Sequence, residues 1–177
     1  FATTNGGLIQ LSPEGKLIKH FTVLDGLPES DLVSLTIFDA KLFIGTRTKG
    51  VLTFDGENYL QFNFTEQKSQ SITAFLNDNG RLLIGTSGIG LLEFDGKNFR
   101  EIKAENKKIK DITFLAEENA TLFVGTFNNG LWIYESDVWK HFTTAEGLPS
   151  NRVIGVVKNT ESLLVATDFG LANLEND

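Results

Sequence analysis

Apolar and polar positions alternate along this chain in short bursts, and no long stretch carries apolar residues at helical spacing. Leu32–Phe38 is rich in apolar and β-branched residues, Asp39-Ala40 turns the chain, and Leu42–Ile44 is a continuous apolar run of the kind seen where both faces of a strand are buried. Arg47–Gly50 reads as a loop and Val51–Phe54 resumes the strand signal. Asp55-Gly-Glu-Asn58 is a turn of hairpin length, and Tyr59–Phe62 makes a fourth strand. The succession returns at Ile72–Leu76, Leu82–Ile84, Leu91–Phe94 and Phe99–Ile102, then at Ile112–Ala116, Leu122–Val124, Leu131–Tyr134 and Trp139–Phe142.

A repeated hexapeptide anchors the pattern: Lys41-Leu-Phe-Ile-Gly-Thr46, Arg81-Leu-Leu-Ile-Gly-Thr86, Thr121-Leu-Phe-Val-Gly-Thr126 and Ser162-Leu-Leu-Val-Ala-Thr167. Its threonines fall 40, 40 and 41 residues apart, and each is followed by a Gly-aliphatic pair at Gly50-Val51, Gly90-Leu91, Gly130-Leu131 and Gly170-Leu171. Phe1-Ala-Thr3 with Gly7-Leu8 is a truncated fifth copy. Four short antiparallel strands in about 40 residues predict an all-β fold, a β-propeller arc. One such sheet cannot bury both of its apolar faces alone, so neighbours must stack and cover each other. The expected organisation is one propeller segment over residues 1–177: complete blades at 31–62, 71–102 and 111–142, and partial blades at 1–21 and 152–174. Propellers close with about 4–8 blades, so the segment reads as an arc of a larger ring. The alternative is a four-bladed closure in which residues 17–21 complete the last blade, but that leaves Leu8–Leu11 surplus.

Two connecting segments, Asp25-Gly-Leu-Pro-Glu-Ser-Asp31 and Glu146-Gly-Leu-Pro-Ser-Asn-Arg152, stand at matching offsets before Val33 and Val153. Together with the Ile/Val-Gly-Thr strand and the Gly-Leu opening the third strand, they resemble the two-component regulator propeller repeat. The match departs at 65–71 and 103–111, where Gly-Leu-Pro is missing, and in the second strand, where Phe43, Leu83, Phe123 and Leu164 replace the family's tryptophan. The resemblance implies an extracytoplasmic sensor region, periplasmic or extracellular, of a histidine kinase or hybrid regulator. Its partners would be the remaining blades and downstream signalling domains of the same chain.

Composition narrows the chemistry. The chain of 177 residues has 16 basic and 23 acidic side chains, a net charge of −7, which argues against a phosphate-binding surface and so against nucleic acid. It has no cysteine, which removes disulfides and thiol chemistry, and no apolar run long enough to span a membrane, so no membrane contact is expected of this segment. His20 and His141, the only histidines, occupy equivalent places on fourth strands of separate blades and cannot converge as a catalytic pair. No metal-ligand spacing, phosphate loop or Gly-x-Ser-x-Gly appears, so neither cofactor nor metal is expected. Asp55-Gly56 and Asp95-Gly96 read as turn signals, too far apart on successive blades for paired-carboxylate hydrolysis. Asn63-Phe-Thr65 and Asn119-Ala-Thr121 fit the glycosylation pattern, which chance also produces; Lys103–Lys110 reads as a solvated inter-blade loop.

Strand alternation puts the two-to-three and four-to-one loops on one ring face. The two-to-three loops vary in sequence, and variable loops on a rigid scaffold are where recognition concentrates. Arg47 and Lys49 are candidates for an acidic or sugar ligand, Phe127 for stacking, and Asn128, Asn129 and Asp168 for hydrogen bonds to hydroxyls, with Phe169 beside them. Ordinary loop variation accounts equally well for any one of them. The leading expectation is a non-enzymatic recognition segment binding an oligosaccharide or a protein. A secreted or surface interaction scaffold is the alternative, and a propeller hydrolase or lyase is the weakest reading.

Overall fold

The computed structural model describes residues 2–62, 71–78, 80–158 and 162–175. The sequon at Asn63 and all of the 65–71 connection except Ser71 lie outside the described residues. Within them, the strands form five separate antiparallel sheets. The N-terminal blade is β1 (Ala2–Thr3), β2 (Gly7–Leu11) and β3 (Leu17–Phe21). The first full blade is β4 (Leu32–Phe38), β5 (Lys41–Thr46), β6 (Val51–Phe54) and β7 (Tyr59–Phe62). The second holds β8 (Ile72–Asp78), β9 (Arg81–Thr86), β10 (Leu91–Phe94), β11 (Phe99–Ala104) and the short β12 (Lys107–Lys108). The third is β13 (Ile112–Glu118), β14 (Thr121–Thr126), β15 (Leu131–Glu135) and β16 (Val138–Phe142). The C-terminal blade is β17 (Val153–Lys158), β18 (Ser162–Thr167) and β19 (Gly170–Glu175). The fold is a β-propeller arc, and β3 pairs with β2 rather than with the last sheet.

The core lies in the seams between blades. Along β5, Ile44 packs toward the N-terminal blade with Leu8 and Phe21, while Phe43 packs toward the second full blade with Leu82, Ile84 and Phe94. The alternation recurs in β9, where Leu82 and Ile84 face one seam and Leu83 the other, and in β14, where Leu122 and Val124 oppose Phe123. Successive strand residues point to opposite faces, and here both faces meet a neighbouring sheet. The continuous apolar runs of β5, β9 and β14 therefore have a direct cause, whereas in β18 only Leu163 and Val165 are covered and Leu164 is 39% exposed.

Glycine before the repeated threonine is set by seam width. A β-carbon on Gly85 would lie 2.7 Å from Cγ2 of Ile112 in the next blade, and one on Gly45 the same distance from Ile72. Ala166 replaces glycine in the C-terminal blade, where no further sheet packs against it among the described residues.

The Gly-Leu-Pro connections are capped turns. Thr22 and Thr143 cap single 3₁₀ turns, and the carboxylates of Asp25 and Glu146 accept both the amide and the hydroxyl of those threonines at 2.7–3.0 Å. Gly26 and Gly147 follow in the left-handed conformation, φ 86° and 102°. Leu27 and Leu148 then drop into the seams, 2% and 3% exposed. At 103–111 the structure differs from the expected loop. β11 runs on to Ala104, Glu105 and Asn106 both adopt positive φ (47° and 68°), and β12 returns as a hairpin. Positive φ at both central residues suits a two-residue hairpin. The lysines stay exposed while Ala104 and Ile109 are fully buried, so Ile109 plugs the seam that leucine plugs elsewhere. A lysine-rich sequence hid two inward residues.

Candidate recognition face

Each repeated threonine closes the loop that follows it. Oγ1 of Thr46, Thr86 and Thr126 donates to the carbonyl of Gly50, Gly90 and Gly130 at 2.7–2.9 Å, and Thr3 and Thr167 do the same to Gly7 and Gly170. Gly130 takes a φ of 70°, and a β-carbon there would strike the Phe142 carbonyl. The residue after each of the last four threonines donates its amide to the carbonyl just before its blade's first strand: Arg47 to Asp31, Ser87 to Ser71, Phe127 to Asp111 and Asp168 to Arg152, at 2.8–3.3 Å. The two-to-three loop and the incoming four-to-one connection are thus stitched together on one face, with a variable side chain at a fixed place in every repeat.

The candidate residues separate into two groups. Arg47 forms an ion pair with Asp31, Nε to Oδ2 at 2.8 Å. The Lys49 amide donates to Glu29 Oε2 and to Thr46 Oγ1 (3.0 and 2.9 Å), and Glu29 also accepts the amide and hydroxyl of Thr48. That corner's carboxylates already serve their own chain. Phe127, Asn128, Asp168 and Phe169 instead line one cleft of about 470 Å³ between the third and C-terminal blades. The rings stand out to solvent, Phe127 at 45% and Phe169 at 81% exposure. Asn129 lies outside this lining. Its carbonyl accepts from His141 Nε2 (2.7 Å), and its amide donates to Thr126 Oγ1.

Thr144, Pro149, Ser150, Asn151 and Arg152 form the cleft's other wall. These residues were not among the candidates, although they belong to the connection between β16 and β17 and the shared face of the two loop types follows from strand alternation alone. Joining those two facts would have found them. Asn151 Oδ1 accepts the Thr144 amide (2.9 Å), Ser150 Oγ accepts the Arg152 amide (3.1 Å), and the Arg152 guanidinium lies over the Phe127 ring, 4.6 Å from its centroid. The Thr143 hydroxyl and then its amide hold the Glu146 carboxyl below its ordinary range.

Both histidines have the same local task. His20 donates to the Gly6 carbonyl, His141 to that of Asn129, and Gln61 donates to the Lys49 carbonyl from the equivalent place. His141 also stacks on Trp132 at 3.8 Å between ring centroids. Among the described residues no group of three His, Cys, Asp or Glu is gathered closely enough to hold a metal ion, and no helix is long and apolar enough to cross a membrane. Asp55 and Asp95 act as turn formers, each accepting two backbone amides at 2.7–2.9 Å. A larger cleft of about 560 Å³ opens between the N-terminal and first full blades, walled mainly by apolar residues such as Leu8, Leu11, Phe21 and Leu42. It sits beside a sheet that has only three described strands. It resembles an unfilled seam more than a recognition site.

No family model matches the chain, and no curated protein does. Solved structures do. The extracellular domain of the two-component system BT4673 from B. thetaiotaomicron matches with a TM-score of 0.66 and 25% identity, over 80% of this chain and 20% of that one. The extracellular domain of the hybrid two-component system BT3049 from the same organism matches over 98% of this chain and 26% of its own, with a TM-score of 0.74 and 18% identity. A computationally designed protein, Ika4, shares the fold at 11% identity and a TM-score of 0.59. The chain therefore spans about a fifth to a quarter of the two extracellular domains. In fold, the chain is a β-propeller segment similar to the extracellular domains of hybrid two-component systems.

Proposed function

We propose that the chain is a non-catalytic, extracytoplasmic recognition segment of a signalling protein, and that it binds a glycan in the cleft between the third and C-terminal blades. In this reading the segment is part of a larger ring, and its outputs are the remaining blades and downstream domains of the same protein. The observation carrying it is the pair of exposed rings, Phe127 and Phe169, set beside Asn128 and Asp168 on a loop face whose backbone is otherwise repeated from blade to blade. Sugars present an apolar C–H face and a rim of hydroxyls, and this pairing of rings with small polar groups complements both. Likeness to extracellular sensor domains supports the location and the signalling role. Both histidines close loops, which supports a structural rather than a catalytic role for them.

The test is calorimetric titration of the protein with a panel of oligosaccharides. Phe169→Ala and Asn128→Ala should each weaken the best binder about two- to tenfold, since a lost stacking or hydrogen-bonding group costs about 0.5–1.5 kcal/mol. Both residues are exposed, so melting temperature should not change. Unaltered glycan affinity in both variants would move the site elsewhere. Binding of a partner protein that is lost in these variants, with no glycan bound, would favour the scaffold alternative.

A further inference from the structure

We infer that the cleft selects ligands carrying a negative charge and that Arg152 is the residue that reads the charge. This rests on the reading of the cleft as a glycan site. The repeats supply an internal control. In the first full blade, the residue before β4 and the first residue of the β5–β6 loop are Asp31 and Arg47, and they neutralise each other in a 2.8 Å ion pair. The C-terminal blade has the same two backbone positions, joined by the same main-chain hydrogen bond, but with the charges exchanged: Arg152 before β17 and Asp168 after Thr167. Here no ion pair forms. Arg152 turns instead to the preceding blade and lies over Phe127. Arg47, Arg81 and Arg100 each hold a carboxylate, so Arg152 is the one arginine without an ion pair among the described residues.

Held over the Phe127 ring and free of an ion pair among the described residues, the Arg152 guanidinium keeps N–H donors for an incoming group, and its planar fork matches a carboxylate or sulfate in a bidentate pair. The surroundings fit such a group carried on a sugar. Asn128 and Ser150 line the same cleft as neutral partners, Asp168 can accept from hydroxyls, and the exposed Phe169 ring offers a second stacking surface. The chain's net charge of −7 gives no general attraction for anions, so any preference must come from a local contact. The ligand class is an acidic saccharide, with a carboxylate or sulfate on a hydroxyl-bearing ring.

Titration of the intact protein with oligogalacturonate, its methyl-esterified form, a sulfated galactan oligosaccharide and its desulfated form tests this and separates carboxylate from sulfate. At least one charged form should bind about tenfold or more tightly than its neutral counterpart, the size expected of a hydrogen bond to a charged group. Arg152→Gln should lower the charged form to the level of the neutral one and leave the neutral one unchanged. Lys97→Gln, which removes one positive charge from a turn on the opposite face, should keep the preference. Equal binding of charged and neutral forms by the unaltered protein overturns the inference and leaves the glycan reading standing. So does a preference that survives in Arg152→Gln. Binding of neither form removes the glycan reading and this inference with it.

Discussion

Thr126 shows how one side chain turns a sequence repeat into a geometric one. Its hydroxyl donates to the Gly130 carbonyl and accepts the Asn129 amide, at 2.8 and 2.9 Å, in a fully buried position. Thr126→Val keeps the shape and removes both side-chain bonds; the Gly130 carbonyl still accepts the Thr126 amide, so the loss is two hydrogen bonds and a hydroxyl acceptor for the Asn129 amide, and it should cost about 1–3 kcal/mol in urea unfolding. Gly85 makes the complementary case. Gly85→Ala forces a methyl to within 2.7 Å of Ile112 and should destabilise by about 1–3 kcal/mol. The opposite change at the equivalent position, Ala166→Gly, meets no next blade and should cost well under that by the same measurement.

At the scale of the element, the inter-blade connections do two jobs: they cap a turn and they plug a seam. Leu148→Ala and Ile109→Ala should be comparably harmful, about 2–5 kcal/mol each, although only the first lies in a Gly-Leu-Pro motif, because both side chains are buried in the same kind of seam. The turns also carry a pH signature. The carboxyls of Asp25 and Glu146 are lowered by the cap threonines, and those of Asp55 and Asp95 by backbone amides two and three residues on. A carboxyl lowered in the folded state gives stability that is present above its unfolded value, about 4, and is lost as pH falls through the folded value. Thermal midpoints should therefore hold from neutral pH down to about 5 and fall steeply below about 4. Glu146→Gln should flatten part of that fall, and an acid limb identical to that of the unaltered protein would remove Glu146 from the account.

At the scale of the molecule, the core of the described residues lies in four seams rather than one centre. Each blade contacts its neighbours, so energies should combine as nearest-neighbour terms. Leu8→Ala and Leu163→Ala remove side chains from seams at opposite ends of the arc, and their costs should add to within about 0.5 kcal/mol in the double variant. Amide exchange should be slowest in β9 and β14, which are covered on both faces, and fastest in β1 and in β19. Uniform protection across all five sheets would mean the arc opens as a single unit.

The forty-residue period, the four-strand succession and the buried second strands were legible in the chain, because seam packing imposes apolar residues at consecutive positions, Leu42–Ile44, Leu82–Ile84 and Leu122–Val124, where a strand faces two neighbours. The Gly-Thr pair was legible as a repeat but not as a device: its glycine is explained by Ile72 and Ile112 of the following blades, and its threonine by a carbonyl four residues on. The hairpin at 103–109 was illegible because exposed lysines outnumber its two buried residues. Within the candidate face, the variable loop positions followed from strand alternation. Which of them share a cleft did not, since that depends on the neighbouring connection and on where each side chain turns. Asp31 and Arg47 pair, while Arg152 and Asp168, at the same backbone positions with exchanged charges, do not, because Phe127 of the adjacent blade offers the guanidinium a ring to lie against.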